Sequence, residues 1–235
     1  MSSANVNLQS KALCVQARLI KHYGEPVRKV RRDPLSELIL TVLSQNTADV
    51  NTSRAYDSLR ERFPTWQDVL DAPVEEVAEA IHIGGLSQIK APRIQRILQE
   101  LADQWGSLNM DFLQALPTDE ARKYLTSFRG VGPKTAACVL LFSLNKPALP
   151  VDTHVLRVAR RLGLIPEKVS AEKANILLED LLPEEAYYPF HLIVIQHGRT
   201  ICHARSPRCE ICPVAQDCDY YATLIEGGSE EKPTE

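Results

Sequence analysis

The sequence contains no apolar run that is long enough to cross a membrane. Its longest apolar stretches, such as residues 137–144, fall far short of the ~20 residues that a spanning helix requires. The N-terminal segment MSSANVNLQSKALC also lacks the apolar core of a secretory signal. These absences predict a protein that stays in the cytoplasm and has no membrane partner.

The sequence also lacks the alternating β-branched runs, bounded by turns, that indicate β-strands. Apolar residues instead recur at helical spacing in ten or so segments that are joined by short connections. Some segments begin with helix-start signals, such as Asp33 followed by Pro34, and Thr65 three residues before Asp68. With 44% hydrophobic and 24% charged residues, the composition is that of a globular protein. The predicted fold class is all-α.

An excess of positive charge is missing as well, since the formal net charge is −3, which argues against a nucleic-acid partner. The distribution of charge matters more than the sum. Residues 226–235 carry four Glu and one Lys and account for −3 by themselves, so the other 225 residues are neutral overall. Residues 121–161 hold eight Lys or Arg against Asp152 alone, a local charge of +7 around a glycine turn. This clustering favours a phosphate-bearing partner.

The six cysteines of a cytoplasmic chain are not expected to form disulfides. Cys14 and Cys138 lie singly in apolar surroundings and are predicted to be small core residues. The other four follow the pattern C-x6-C-x2-C-x5-C within 17 residues: Cys202, Cys209, Cys212 and Cys218. Thiolates at this spacing predict a metal site, and their softness restricts the occupant to zinc or iron–sulfur. Only one C-x2-C pair is present, so the spacing alone does not decide between the two.

Candidate catalytic residues lie between residues 128 and 153. Gly130-Val131-Gly132-Pro133 is a predicted hairpin turn, after which Lys134 opens an apolar helix. A lysine at the mouth of a helix that enters a core is unusual unless its amine is used. Asp152 follows eighteen residues later, where its carboxylate could point back toward the lysine or cap the next helix. An amine near a carboxylate suits Schiff-base chemistry on a sugar aldehyde, and a phosphate-contacting surface lysine is the alternative.

The hairpin with Lys134, residues 151–154 with Asp152, and the cysteine pattern together resemble endonuclease III, a family of helix-hairpin-helix DNA glycosylases. The resemblance covers about residues 10–222. It implies a six-helix barrel domain at residues 27–146 and an iron–sulfur domain formed by residues 1–26 and 147–222. A [4Fe–4S] cluster would be bound by the four cysteines. Residues 223–235 would form a disordered acidic tail.

The resemblance also implies a DNA repair enzyme that removes oxidised pyrimidines and cuts the abasic site by β-elimination. Lys134 would attack C1′ of the flipped nucleotide, and Asp152 would stabilise positive charge on the sugar. A monomer at the nucleoid would bind double-stranded DNA with damaged bases or abasic sites across the cleft between the domains. The implied DNA contacts are Gly130, Val131, Gly132, Gln45, Asn46, Leu86, Arg129, Arg205 and Arg208.

The chain departs from the family pattern at two places. Gln45-Asn46 replaces Ala-Gln, so either amide is a candidate for filling the gap opposite the flipped base, and Arg129 stands where the family usually has proline. Arg205 and Arg208, inside the cysteine segment, suggest that the cluster shapes a DNA-binding loop and takes no part in catalysis.

Two other functions stay open at this point. One is a monofunctional glycosylase for mismatched adenine, thymine or uracil, which the presence of Lys134 argues against. The other is a non-catalytic DNA-binding iron–sulfur protein, which leaves the Lys–Asp spacing unexplained.

Overall fold

The structure, a computed structural model, describes residues 3–27 and 31–228. Every regular element within those residues is helical, which confirms the all-α prediction. In chain order the α-helices are α1 (Ser3–Tyr23), α2 (Pro34–Ser44), α3 (Asp49–Arg62), α4 (Trp66–Asp71), α5 (Val74–Ala80), α6 (Ser87–Trp105), α7 (Thr118–Ser127), α8 (Pro133–Cys138), α9 (Thr153–Arg161), α10 (Ala171–Leu181), α11 (Tyr187–Thr200) and α12 (Asp219–Gly228). None of these described helices is long and apolar enough to cross a membrane.

Shorter helical turns complete the described elements. Five are 3-10 turns, at His82–Gly84, Asp111–Gln114, Glu184–Ala186, Cys209–Ile211 and Ala215–Asp217, and a π-helical turn at Val139–Ser143 continues α8.

The chain divides into two compact units. Val30–Lys146 forms the unit that contains α2 to α8, which we call the hairpin unit. Met1–Lys29 and Pro147–Glu235 form the unit that contains α1 and α9 to α12, which we call the cysteine unit. The division expected from the sequence falls after residues 26 and 146.

The hairpin unit is built around α2. Nine of the eleven residues of this helix are buried, and α3, α6 and α8 pack against it. Its start follows the sequence signal, because Asp33 Oδ1 accepts a hydrogen bond from the Ser36 amide at 2.9 Å and Pro34 takes the first helical position. A cap of this kind stabilises a helix by about 1 kcal/mol. The capping box at Thr65 and Asp68, which starts α4, is also present.

Helix α6 begins at Ser87, three residues earlier than the sequence predicts. The Leu86 carbonyl accepts hydrogen bonds from the amides of Ile89 and Lys90, at 3.0 and 2.9 Å, and these bonds start the helix before Pro92 is reached. Pro92 therefore lies in the second turn. The buried residues of α6 recur at helical spacing: Lys90, Ala91, Ile94, Ile97, Leu98 and Leu101.

In the cysteine unit, α1 and α9 pack against α11. Helix α1 contributes Ala12, Val15 and Leu19, all fully buried. Cys14 on the same helix is exposed, contrary to the prediction, because it lies about 100° around the helix from Val15 and off the buried face. Cys138, in the other unit, is buried as predicted.

Helix α12 extends into the segment that the sequence predicts to be a disordered tail. Residues 223–228, which the sequence predicts to be disordered, are helical. The Ala222 amide donates to the Cys218 carbonyl at 3.1 Å, so the helix grows directly from the last cysteine of the pattern. The remainder of the predicted tail, residues 229–235, lies outside the described residues.

Candidate functional site

A glycine turn joins α7 to α8 in the hairpin unit. Phe128 and Val131 are buried, and the Val131 amide donates to the Phe128 carbonyl at 3.0 Å, which fixes the turn. Gly130 has φ +90°, a left-handed conformation that favours glycine. Gly130 and Gly132 are exposed, and their amides donate no hydrogen bond within the described part of the chain. The turn therefore offers two backbone donors to an anion, and Val131 is its buried anchor.

Lys134 is the second residue of α8, directly after Pro133. Its side chain is half-buried, and its amine has no hydrogen-bond or ion-pair partner among the described residues. Glu37 of α2 is buried within electrostatic range. Burial raises the pKa of the Glu37 carboxyl group, and the charges of Arg32 and Lys134 oppose that rise. Arg32 Nη1 lies 3.8 Å from Glu37 Oε2. The Lys134 amine is thus left unpaired, with a buried carboxyl group on the neighbouring helix.

The two candidate amides at the end of α2 differ in their surroundings. Gln45 is tied to its neighbours, since its Nε2 lies 3.3 Å from the Gly130 carbonyl oxygen and its Oε1 accepts from Arg93 Nη1 at 2.5 Å. Asn46 is exposed and has φ +53°. Gln45 therefore supports the hairpin, and Asn46 is the amide that is presented to solvent.

Leu86, one of the predicted DNA contacts, lies in the turn that precedes α6. Its side chain is 50% exposed, and its φ of +53° is unusual for a leucine. Gly84 is buried behind it, where an added Cβ would lie 3.0 Å from Ala55 Cβ. The structure thus holds a large apolar side chain outward on a turn that is packed tightly underneath.

Three arginines form a basic cleft beside the hairpin. Arg93, Arg96 and Arg129, with Ile89 and Pro92, line a cleft in the hairpin unit. Arg93 fills the space beside Gly130, because a Cβ added to that glycine would lie 2.4 Å from Arg93 Nε. The cleft therefore concentrates positive charge next to the two free amides of the turn.

Asp152 is the N-cap of α9 in the cysteine unit. Its Oδ1 accepts a hydrogen bond from the Val155 amide at 2.8 Å. The residue is half-buried, and its other carboxylate oxygen has no hydrogen-bond partner in the described part of the chain. The cap holds the carboxylate in one orientation and leaves one oxygen available.

The four cysteines of the pattern line one cavity in the cysteine unit: Cys202, Cys209, Cys212 and Cys218. None of them forms a disulfide. Burial raises the pKa of Cys212 to about 11 and also raises the pKa values of Cys209 and Cys218. These thiols are therefore protonated at neutral pH unless a metal displaces their protons.

The donor set fits an iron–sulfur cluster. Among the described residues, no three His, Cys, Asp or Glu side chains are grouped closely enough to hold a single metal ion. Four thiolates that line one cavity suit a multi-iron cluster, in which each sulfur binds a different iron. Arg161 donates from Nη1 to Cys202 Sγ at 3.2 Å and to the His203 carbonyl at 2.6 Å. A cationic donor of this kind stabilises negative charge on a sulfur ligand.

Arg205 and Arg208 are exposed on the loop between Cys202 and Cys209. The Arg208 amide donates to the Ile201 carbonyl at 3.0 Å, and Ser206 between the two arginines has φ +50°. The loop therefore presents both charges to solvent.

Sequence reasoning missed several residues that organise these sites. Glu37 and Lys90 could have been found, because each lies on an apolar helical face where a charged residue needs a partner. The roles of Arg93 and Arg161 depend on distant loops, and no local pattern indicates them.

Comparison with known proteins identifies the family. The profile of HhH-GPD superfamily base excision DNA repair proteins matches residues 39–184, and the profile of the iron–sulfur binding domain of endonuclease III matches residues 202–218. The chain therefore belongs to the HhH-GPD superfamily of base excision DNA repair proteins. The second match spans the interval of the four cysteines, which confirms the predicted [4Fe–4S] cofactor over zinc.

Individual relatives and solved structures agree with this assignment. Endonuclease III of Thermotoga maritima is 37% identical over 195 residues, which are 83% of this chain and 87% of that protein. A DNA glycosylase homologue of Arabidopsis thaliana is 39% identical over 168 residues, and the match spans 72% of this chain and only 57% of that protein. Structures of a non-covalent endonuclease III–DNA complex and of a trapped endonuclease III–DNA covalent intermediate each match with a TM-score of 0.79 at 29% identity. They cover 96% and 92% of this chain, and the match spans 100% and 98% of the solved chains.

Proposed function

We propose that the chain is a bifunctional DNA glycosylase and abasic-site lyase that removes oxidised pyrimidines from double-stranded DNA. The unpaired amine of Lys134 is the observation on which the proposal rests. The amine lies at the start of α8, beside a turn with two free amides, in a member of a base excision repair family. A monofunctional glycosylase uses water in place of such an amine, and a protein that only binds DNA has no need of it.

Lys134 acts as the nucleophile. Its neutral amine attacks C1′ of the damaged nucleotide, so that an N–C1′ bond forms while the glycosidic bond breaks and the released base is protonated. Loss of a proton from nitrogen and opening of the C1′–O4′ bond give a Schiff base. Removal of a proton from C2′ then expels the 3′ phosphate and cuts the strand. The 29% identical structure of a trapped covalent intermediate supports this sequence of steps.

Asp152 supplies negative charge. Loss of the base leaves positive charge on the sugar, which a carboxylate held in place stabilises more in the transition state than in the ground state. The hydrogen bond from the Val155 amide holds the carboxylate in place.

Contacts with DNA come from both units. The amides of Gly130 and Gly132 bind phosphate, and Arg129, Arg205 and Arg208 add charge. Asn46 and Leu86 fill the space that the flipped nucleotide leaves in the duplex. The protein works as a monomer and acts on DNA at the nucleoid.

Borohydride trapping tests the proposal. Duplexes that contain thymine glycol or an abasic site are incubated with the wild-type protein and with Lys134→Ala in the presence of borohydride, which reduces a Schiff base to a stable adduct. We expect both duplexes to trap the wild type, and Lys134→Ala to lose at least 99% of the adduct. Retained absorbance of the cluster shows that the cysteine unit is folded, and an unchanged far-ultraviolet circular dichroism spectrum shows that the helices of the hairpin unit are folded as well.

The possible results separate the alternatives. Trapping of the abasic site without thymine glycol would keep the lyase and remove the assignment to oxidised pyrimidines. Base release without any adduct would indicate a monofunctional glycosylase. Tight DNA binding with neither base release nor adduct would indicate a non-catalytic protein.

A further inference from the structure

One buried charge in the hairpin unit has no part in the chemistry above. Lys90 on α6 is only 2% exposed. Its Nζ donates to the Leu43 carbonyl at 2.7 Å, to Thr47 Oγ1 at 2.6 Å and to the Gly84 carbonyl at 2.9 Å. An ammonium group has three N–H donors, so all of them are satisfied.

Two of the three acceptors of Lys90 belong to surface turns that are far apart in the sequence. Thr47 directly follows Asn46, and Gly84 precedes Leu86 by two residues. The backbone amide of Lys90 also donates to the Leu86 carbonyl at 2.9 Å, so this lysine holds the Leu86 turn from both sides. Thr47 Oγ1 lies 2.5 Å from the Gly84 carbonyl oxygen, which joins the two turns directly.

Both turns contain a residue in the left-handed conformation. Asn46 and Leu86 each have φ +53° and are exposed at the surface. Asparagine adopts this conformation readily, but at a leucine it persists only where the surrounding structure enforces it. The bonds of Lys90 and Thr47 provide that enforcement, since they fix the residue after Asn46 and the carbonyls on both sides of Gly85.

A buried lysine is energetically unfavourable at this position unless the directed hydrogen bonds of its ammonium group are needed. Burial lowers the pKa of Lys90, and the charge of Arg93 adds to the effect. All the hydrogen-bond partners of the ammonium group in the described part of the chain are neutral oxygens. The Leu43 carbonyl lies at the C-terminal end of α2, where a helix attracts a cation. An apolar side chain would fill the same space but would not fix the positions of three oxygens.

We propose that Lys90 is a positioning residue that sets the distance between Asn46 and Leu86, so that both side chains enter the duplex together as the damaged nucleotide leaves it. The inference rests on the proposed function, in which these two side chains fill the vacated space. Lys90 itself touches neither DNA nor the reacting atoms.

Two substitutions test this role: Lys90→Met removes the three donors at similar size, and Thr47→Val removes the hydroxyl group that joins the turns. Single-turnover rates are measured on a duplex with thymine glycol and on single-stranded DNA with an abasic site, where no nucleotide has to leave a duplex. We expect a loss of at least tenfold on the duplex and a change below twofold on the single strand. Thr52→Val is the matched control, since Thr52 Oγ1 donates only to the Ala48 carbonyl, at 3.1 Å.

A double-mutant cycle with Leu86→Ala provides a readout that a purely structural role would not give. If Thr47→Val acts through Leu86, the double variant loses no more duplex activity than Leu86→Ala alone. Additive losses, or equal losses on duplex and single strand, would overturn the positioning role.

Leu86→Ala and Asn46→Ala separate the two proposals. If both process the duplex normally, the proposed insertion of these residues fails. If they are slow while Thr47→Val and Lys90→Met are normal, only the role of Lys90 fails.

Discussion

Asp152 combines two roles that a matched pair of substitutions can separate. It caps α9 through the Val155 amide, and we propose that its charge also acts on the sugar. Asparagine keeps the cap and loses the charge, whereas alanine loses both. We expect Asp152→Asn to leave the free energy of unfolding nearly unchanged and Asp152→Ala to lower it by about 1 kcal/mol. Both should slow single-turnover base release at least tenfold, with DNA affinity kept.

Chemical denaturation and single-turnover kinetics on the same preparations check this pair. Equal stability of the two variants would show that the cap contributes nothing. A normal rate for Asp152→Asn would remove Asp152 from the proposed chemistry.

At the scale of single residues, the sequence identifies the residues that carry the chemistry better than the residues that hold them in place. The cysteine pattern and the lysine after a glycine turn are local, so their spacing alone indicates an iron–sulfur or zinc site and a reactive amine. Lys90 and Arg93 become meaningful only when α2 and α6 meet, because Leu43 and Thr47, which accept from Lys90, and Gln45, which accepts from Arg93, lie more than forty residues away in sequence. Gln45 and Asn46 are equal candidates in the sequence, and only their contacts distinguish them.

At the scale of elements, helix α9 runs from Asp152 to the cysteine loop. Arg161 at its last position contacts the loop through Cys202 Sγ and through the carbonyls of His203 and Ala204. The presence of the helices is predictable, because the helical spacing of apolar residues can be read from the sequence without knowledge of the tertiary structure. The ends of the helices are less predictable. Helix α6 starts early because backbone hydrogen bonds to the Leu86 carbonyl begin it, and the residue composition does not indicate these bonds.

We expect Arg161→Lys to loosen the cysteine loop, because one amine cannot reach the three acceptors of the guanidinium group. The cluster should be lost several-fold faster in the presence of a chelator, and DNA affinity should fall because Arg205 and Arg208 lose their fixed loop. The rate at saturating DNA should not change. Visible absorbance, DNA titration and single-turnover rates measure the three effects.

Arg160→Lys is the control for this experiment, since Arg160 donates to the Val169 carbonyl and not to the cysteine loop. DNA affinity that survives complete loss of the cluster would contradict the idea that the cluster shapes a DNA-binding loop.

At the scale of the whole molecule, net charge misleads about the partner. The chain carries −3 overall, yet the hairpin unit gathers Arg93, Arg96 and Arg129 around one cleft. Binding to DNA is governed by the phosphates that local charges neutralise, because each contact releases counterions. The net charge of the whole chain cannot show where phosphates are neutralised, whereas the local excess of positive charge around the glycine turn can.

We therefore expect strongly salt-dependent DNA binding in spite of the acidic sum. Arg129→Gln should reduce the slope of log affinity against log salt concentration by about 0.9, the value for one phosphate contact. Lys173→Gln, which removes one exposed charge from α10, should leave the slope unchanged. Titrations at several salt concentrations measure both. An unaltered slope for Arg129→Gln would show that Arg129 touches no phosphate.

The division of the chain into units also sets an order of biosynthesis. The hairpin unit is one continuous stretch, whereas the cysteine unit combines α1 with α9 to α12. A ribosome adds roughly 5–20 residues per second, so α1 emerges on the order of ten seconds before α11, its packing partner, is complete. During that interval the apolar stripe of Ala12, Val15 and Leu19 has no cover from α11. The cluster can be assembled only after Cys218 has left the ribosome, and until α11 has been made the apolar stripe of α1 is open to chaperones.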